Sequence, residues 1–180
     1  MTDGNAPGLY RPSFERDNCG FGLIAHMDGN PSHWLIETAV AALGRLTHRG
    51  AVAADGKTGD GCGLLLTKPD AFLRAVAHEA GLDLDEQSAV GSLFLHPEEG
   101  FAEAAREALR QALRSQGLEP AGFREVPVDT SALGAQALQT CPRIEQAFVN
   151  ADPGMEAQDL ERRLFIARRL TEKAISSEDE

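Results

Sequence analysis

Short apolar runs arrive almost singly along this chain, each set apart from the next by a helical stripe or a glycine loop. That alternation restricts the fold to a sheet layered against helices. The strand-like runs are CGFGLIAHM (19–27), Leu64–Leu66 behind the glycine-rich ADGKTGDGCG, SAVGSLFLHP (88–97), GFREVPVD (122–129) and RIEQAFVNA (143–151). Four stretches between and after them carry helical periodicity. In the first, Pro31 and Ser32 are start signals, Ile36, Ala39, Val40, Leu43 and Leu46 form an apolar stripe, and Gly50 reads as the stop. The second, PDAFLRAVAHEAG, closes at Gly81. The third has Phe101, Ala105, Leu109 and Leu113 as its stripe, with Glu98 and Glu99 at its positive pole and Arg110 and Arg114 near its negative one. The fourth runs from Met155 to Ser177 before an acidic tail. Single strands between helices fit a parallel α/β sheet, but these are short, glycine-rich and unevenly spaced, which leaves a layered α+β arrangement equally open.

With 180 residues the chain is long enough for one domain with a real core and short for two. A net charge of -11 repels phosphates, which argues against nucleic acid and anionic membranes as partners. The first 18 residues hold no cationic segment followed by an apolar one, and no run approaches the ~20 apolar residues of a membrane span, so a cytoplasmic location is expected. The three cysteines, Cys19, Cys62 and Cys141, are odd in number and form no C-x-x-C pair, as in a reducing compartment. No histidine stands four residues from a cysteine or another histidine, and no metal site is expected. Cys62 and Cys141 read as structural, Cys62 as part of the core.

The glycine pairs in CGFG and TGDGCG invite a nucleotide reading, but their polarity is wrong. A phosphate loop leads from strand to helix, whose N-terminal amides hold the anion, whereas these glycines lie within or ahead of strand-like runs. They suit tight turns and close backbone approach instead, which a buried core or a crowded active site needs equally. Cys19 sits at the lip of the first such run, after residues without periodicity. A cysteine there is ordinarily a small buried hydrophobe. Cutting the Asn18–Cys19 bond would place a thiol and a free α-amine on one residue. Such an amine titrates near ~7.7 to 8.0 and can take the proton of the neighbouring thiol, so one residue would serve as nucleophile and base.

The stretch ERDNCGFGLIAHMDGNPSHWLIETAVAALGRLTHRGAVAADGKTGDGCGLLL, followed by AVGSLFL, GFREVP, PRIEQAFVNA and DLERRLFIARRLTEK, resembles the N-terminal part of the large subunit of bacterial NADPH-dependent glutamate synthases. These carry a class II glutamine amidotransferase domain of the N-terminal-nucleophile hydrolase superfamily. The resemblance implies an α+β fold, part of an αββα sandwich with antiparallel sheets. It makes residues 1–18 a propeptide cut between Asn18 and Cys19, residues 19–180 the N-terminal portion of the amidotransferase domain, and Cys19 the nucleophile. Arg49 becomes an active-site arginine, with His48, Gly50, Asp60 and Gly61 in supporting roles. At Arg49, a helix-end cation facing the dipole is also a good physical reading, and both can hold at once.

The implied reaction is hydrolysis of the side-chain amide of L-glutamine, yielding ammonia for glutamate formation from 2-oxoglutarate. Further implied partners are the remaining domains of the large subunit and the small subunit. FMN, an iron–sulfur cluster and NADPH serve the full-length enzymes, and none is expected on this segment. The family's oxyanion hole uses an Asn-Gly pair, and no such dipeptide occurs here. The chain therefore reads as an incomplete domain. Two alternatives remain: a catalytically inactive packing module with the same fold, and another N-terminal-cysteine amidase.

Overall fold

Helix ends in this protein follow local chemistry. In the computed structural model, which describes residues 20–46, 50–59 and 61–176, the elements are α1 (His33–Gly44), α2 (Asp70–Glu79), β1 (Ser88–Leu95), α3 (Glu99–Ser115), β2 (Glu119–Glu125), α4 (Ala135–Gln139), β3 (Arg143–Asn150) and α5 (Ala157–Ser176). Ser32 caps α1, its hydroxyl accepting the Leu35 N–H at 3.3 Å. Both α2 and α3 close through a left-handed glycine. At Gly81 (φ 73°) the Gly81 and Leu82 N–H groups donate to the His78 and Ala77 carbonyls. At Gly117 (φ 69°) the corresponding bonds run from Gly117 and Leu118 to Arg114 and Leu113. Each pair satisfies carbonyls that the helix leaves open, and only glycine takes this backbone without penalty.

The described residues fall into two compact units, one running up to Leu65 and including Leu133–Gln136, the other formed by Leu66–Ala132 and the chain from Ala137 onward. The second contains the sheet, in the order β1-β3-β2 with both pairings antiparallel. Ser88 pairs with Asn150 and Leu95 with Arg143 along one side of β3, and Glu119 to Glu125 line the other. Alternation along the central strand sends Val149 to one face, where it packs with Ala112, Leu113, Leu118, Ala151 and Ala167. Phe148 points to the opposite face and packs with Leu73, Val76 and Ala77 of α2. Burying a side chain such as Phe148, 1% exposed, is worth roughly 1.5–3 kcal/mol, so these two clusters carry much of the unit's stability.

Two buried positions are charged, Glu145 and Arg106. Glu145 on β3 is 2% exposed, and its Oε1 lies 2.8 Å from Arg106 Nη1 and 2.7 Å from Arg143 Nε. Arg106, itself buried on α3, is also paired with Glu99 and Glu103. Burial pulls the Arg106 pKa down, but its bonds to Glu103 and Glu99 outweigh that and the net shift is upward.

The mixed helices and antiparallel strands agree with the α+β expectation. Several finer expectations do not hold. Gly20–Met27 and Leu64–Leu66 form no strand and are exposed, because a strand needs a partner ladder for its amides and none lies beside them among the described residues. The helix α1 stops at Gly44 with Arg45 as its cap, ahead of the expected stop at Gly50. The buried stripe of α3 is Ala102, Arg106, Ala112 and Leu113, and Phe101 is exposed, edge-on to His96. Cys62, expected in the core, is exposed, while Cys141 is half-buried. β2 begins at Glu119, ahead of the expected GFREVPVD.

Candidate active site

Of the residues singled out by sequence, Asn18, Cys19, His48, Arg49 and Asp60 lie outside the described residues. Gly50 and Gly61 are described, and they flank a small hairpin. An antiparallel bridge joins Val52 to Gly59, and the Ala53 N–H donates to the Thr58 carbonyl at 2.7 Å. The two arms are close: a Cβ on Gly59 would stand 3.2 Å from the Ala51 carbonyl oxygen. In sequence, Gly50 precedes this hairpin and Gly61 follows it, so its closure sets the spacing of the chain on either side.

The tip is built on Asp55. Its Oδ1 accepts the N–H groups of Lys57 at 3.0 Å and Thr58 at 2.7 Å, and its Oδ2 accepts the Thr58 hydroxyl at 2.6 Å. Gly56, at φ 71°, makes the turn. A bond from the Gln136 N–H to Asp55 Oδ2, at 3.4 Å, adds the segment Leu133–Gln136. Led by the Thr58 hydroxyl and then the Thr58 and Lys57 amides, these donors hold the Asp55 carboxyl well below the usual carboxylate range. Sequence reasoning passed over Asp55, although an aspartate followed by Gly-Lys-Thr is a legible turn signal.

A concave feature lies in the second unit. A pocket of about 430 Å³ is lined by Arg106, Arg110, Arg114, Phe123, Arg143 and Glu145 among others. Its cations are largely spent on neighbours: Arg110 bonds Glu103 and Glu107 and lies 4.9 Å over the Phe123 ring. None of the sequence-predicted site residues lines it. Among the described residues no group of three or more His, Cys, Asp or Glu side chains is placed to share a metal ion. No helix among them is long and apolar enough to cross a membrane.

A layered α+β chain with two glycine-rich motifs, the second entering a tight hairpin, has a class in the known sequences. Residues 19–180 match the family model described as glutamine amidotransferases class-II, and the chain belongs to that family. It is 38% identical, over 99% of its length, to the glutamate synthase [NADPH] large chain of Azospirillum brasilense. It is 35% identical over 93% to the glutamate synthase [NADPH] large chain of Bacillus subtilis. Against ferredoxin-dependent glutamate synthase 1, chloroplastic/mitochondrial, of Arabidopsis thaliana the identity is 36% over 98%. The aligned region is 11 to 12% of each of these relatives, so the chain spans about a tenth of the length of the curated relatives it matches.

Proposed function

We propose that this chain is the opening part of the glutamine-hydrolysing domain of a glutamate synthase large subunit, with Cys19 as its nucleophile. The observation that carries the reading is the family match beginning at residue 19, the cysteine already distinguished by its place in the sequence. Under this reading residues 1–18 are a propeptide, removal of which frees the α-amine of Cys19. That amine takes the thiol proton, the thiolate attacks the glutamine side-chain carbonyl, ammonia leaves, and water releases glutamate from the thioester. Arg49 contacts the substrate region, with His48, Gly50, Asp60 and Gly61 shaping it. The oxyanion donors, commonly worth ~100-fold or more in rate, come from outside this chain, which has no Asn-Gly pair.

Ammonia passes to a site on the rest of the large subunit that aminates 2-oxoglutarate, in the cytoplasm and in company with the small subunit. The complete domain is an αββα sandwich to which this chain contributes one part. The FMN, iron–sulfur and NADPH chemistry belongs to those other parts. With Cys19 serving as nucleophile, only the exposed Cys62 and the half-buried Cys141 remain, too few thiolates to hold such a cluster.

The intact mass of the purified chain, with and without a glutamine-like diazo-ketone, tests the reading. A mass starting at Cys19 with one stoichiometric adduct is the expected result for the active domain. A mass retaining residues 1–18 and no adduct, in the full-length polypeptide as well as in this chain, would overturn it in favour of an inactive packing module. An adduct with equal turnover of unrelated amides would favour a different N-terminal-cysteine amidase.

A further inference from the structure

We propose that Asp55, Thr58 and Gly134 form a positioning clamp that fixes the two glycine-flanked arms of the candidate active site. This rests on the glutaminase reading given above and adds residues to it that do no chemistry themselves. Three observations converge. The first is that both carboxylate oxygens of Asp55 are occupied by donors of the same turn, Lys57 N–H and Thr58 N–H on one and the Thr58 hydroxyl on the other.

The second is the approach of a segment remote in sequence. The Gln136 N–H reaches the same Oδ2. A Cβ on Gly134 would stand 2.3 Å from Thr58 Oγ1, 2.4 Å from Asp55 Oδ2 and 2.6 Å from the Thr58 backbone nitrogen. Only a residue without a side chain lets the 133–136 backbone lie directly on the hairpin tip. The third is the antiparallel bridge from Val52 to Gly59, which joins the two arms of the hairpin between Gly50 and Gly61 in sequence.

A clamp of this kind acts through placement. Holding a reacting group and its substrate in the right geometry is a large part of enzymatic rate, and a shift of about 1 Å can cost on the order of 100-fold. Asp55 cannot serve as a proton carrier near neutrality, because its carboxylate is held ionised by four donors. Its loss should therefore lower kcat and raise KM for glutamine without moving the pH at which activity rises or falls.

The test measures glutamine hydrolysis and the rate of Cys19 labelling by the diazo-ketone in the full polypeptide carrying D55A, D55N, T58V, T58S or G134A. The expected result is a loss of roughly 10-fold or more in kcat/KM for D55A, T58V and G134A. T58S, which keeps the hydroxyl, should recover most of the activity lost in T58V, and the pH profile of D55N should keep its shape. Wild-type labelling and hydrolysis with undiminished activity in T58V and G134A would overturn the clamp alone. A wild-type protein that neither labels at Cys19 nor hydrolyses glutamine would overturn the glutaminase reading and the clamp with it. Should D55A fail to fold, the T58V and T58S pair still decides.

Discussion

The sharpest energetic consequence at the level of single residues lies at Glu145. Its side chain is 3% exposed and faces Arg106, 8% exposed, across a 2.8 Å contact. Removing one member of a buried ion pair strands the other, at a typical cost of about 3–5 kcal/mol, whereas replacing both with apolar groups of similar size is often neutral. We expect E145A to lower the urea midpoint sharply, and R106M combined with E145L to be far less damaging than E145A alone. A near-additive double mutant would show that the pair is not coupled. Five exposed carboxylates, Asp55, Asp70, Glu103, Glu107 and Asp129, and the half-buried Asp159 have pKa values below their ordinary 3.8 or 4.5, chiefly through hydrogen bonds from Thr58, Lys68, Arg110, Gln111, Ser131 and Arg162 respectively. A depressed carboxylate stabilises the fold above its unfolded value, and that contribution disappears as pH falls through the folded one. Thermal midpoints should therefore stay level from neutrality to about pH 5 and fall below it; a rise on acidification would contradict these assignments.

At the level of elements, the helices were the most legible part of the sequence, because their signals are local. Ser32 marked the start of α1 and Gly81 the end of α2, each by a bond visible in the structure, and Gly117 closes α3 in the same way as Gly81. Gly117 also fits under α5: a Cβ there would come 3.1 Å from Arg163 Nη1, which donates to the Gln116 carbonyl at 2.6 Å. G117A should therefore cost about 1–2 kcal/mol from the left-handed backbone, with a drop of roughly 2–8 °C in thermal midpoint. An unchanged midpoint would mean that the α3 cap contributes little. Strands were legible only where their partners are present. SAVGSLFL and RIEQAFVN pair with each other, whereas residues 20–27 and the Leu64–Leu66 run have the right composition but no ladder among the described residues. The start of β2 was hidden by Pro120 and Gly122, residues that weaken strands. They are accommodated because β2 is an edge and its register shifts between them. The hairpin clamp was missed for a different reason: Gly134 is distant from Asp55 in sequence, and no local pattern announces their approach.

For the whole molecule, burial is distributed unevenly along the chain. Every buried core residue among those described lies at Leu73 or beyond, and none of α1 is buried although its stripe is apolar. Phe21, Leu23, Met27 and Leu65 are each at least 89% exposed, and Trp34 is 62% exposed. Exposed apolar side chains of this size ordinarily find cover in a neighbouring segment or in another molecule. Under the proposed function that cover comes from the rest of the large subunit. The chain studied alone should then associate: its apparent mass in size-exclusion chromatography should exceed 19.3 kDa and rise with concentration, and it should bind a dye that reports exposed apolar surface. Limited proteolysis should cut first within residues 20–32, which have no secondary structure and no buried side chain, and more slowly within α3 and β3, where the buried clusters lie. A monodisperse monomer that resists cleavage before Trp34 would mean that the chain covers these residues itself, and the need for a larger partner would fall away.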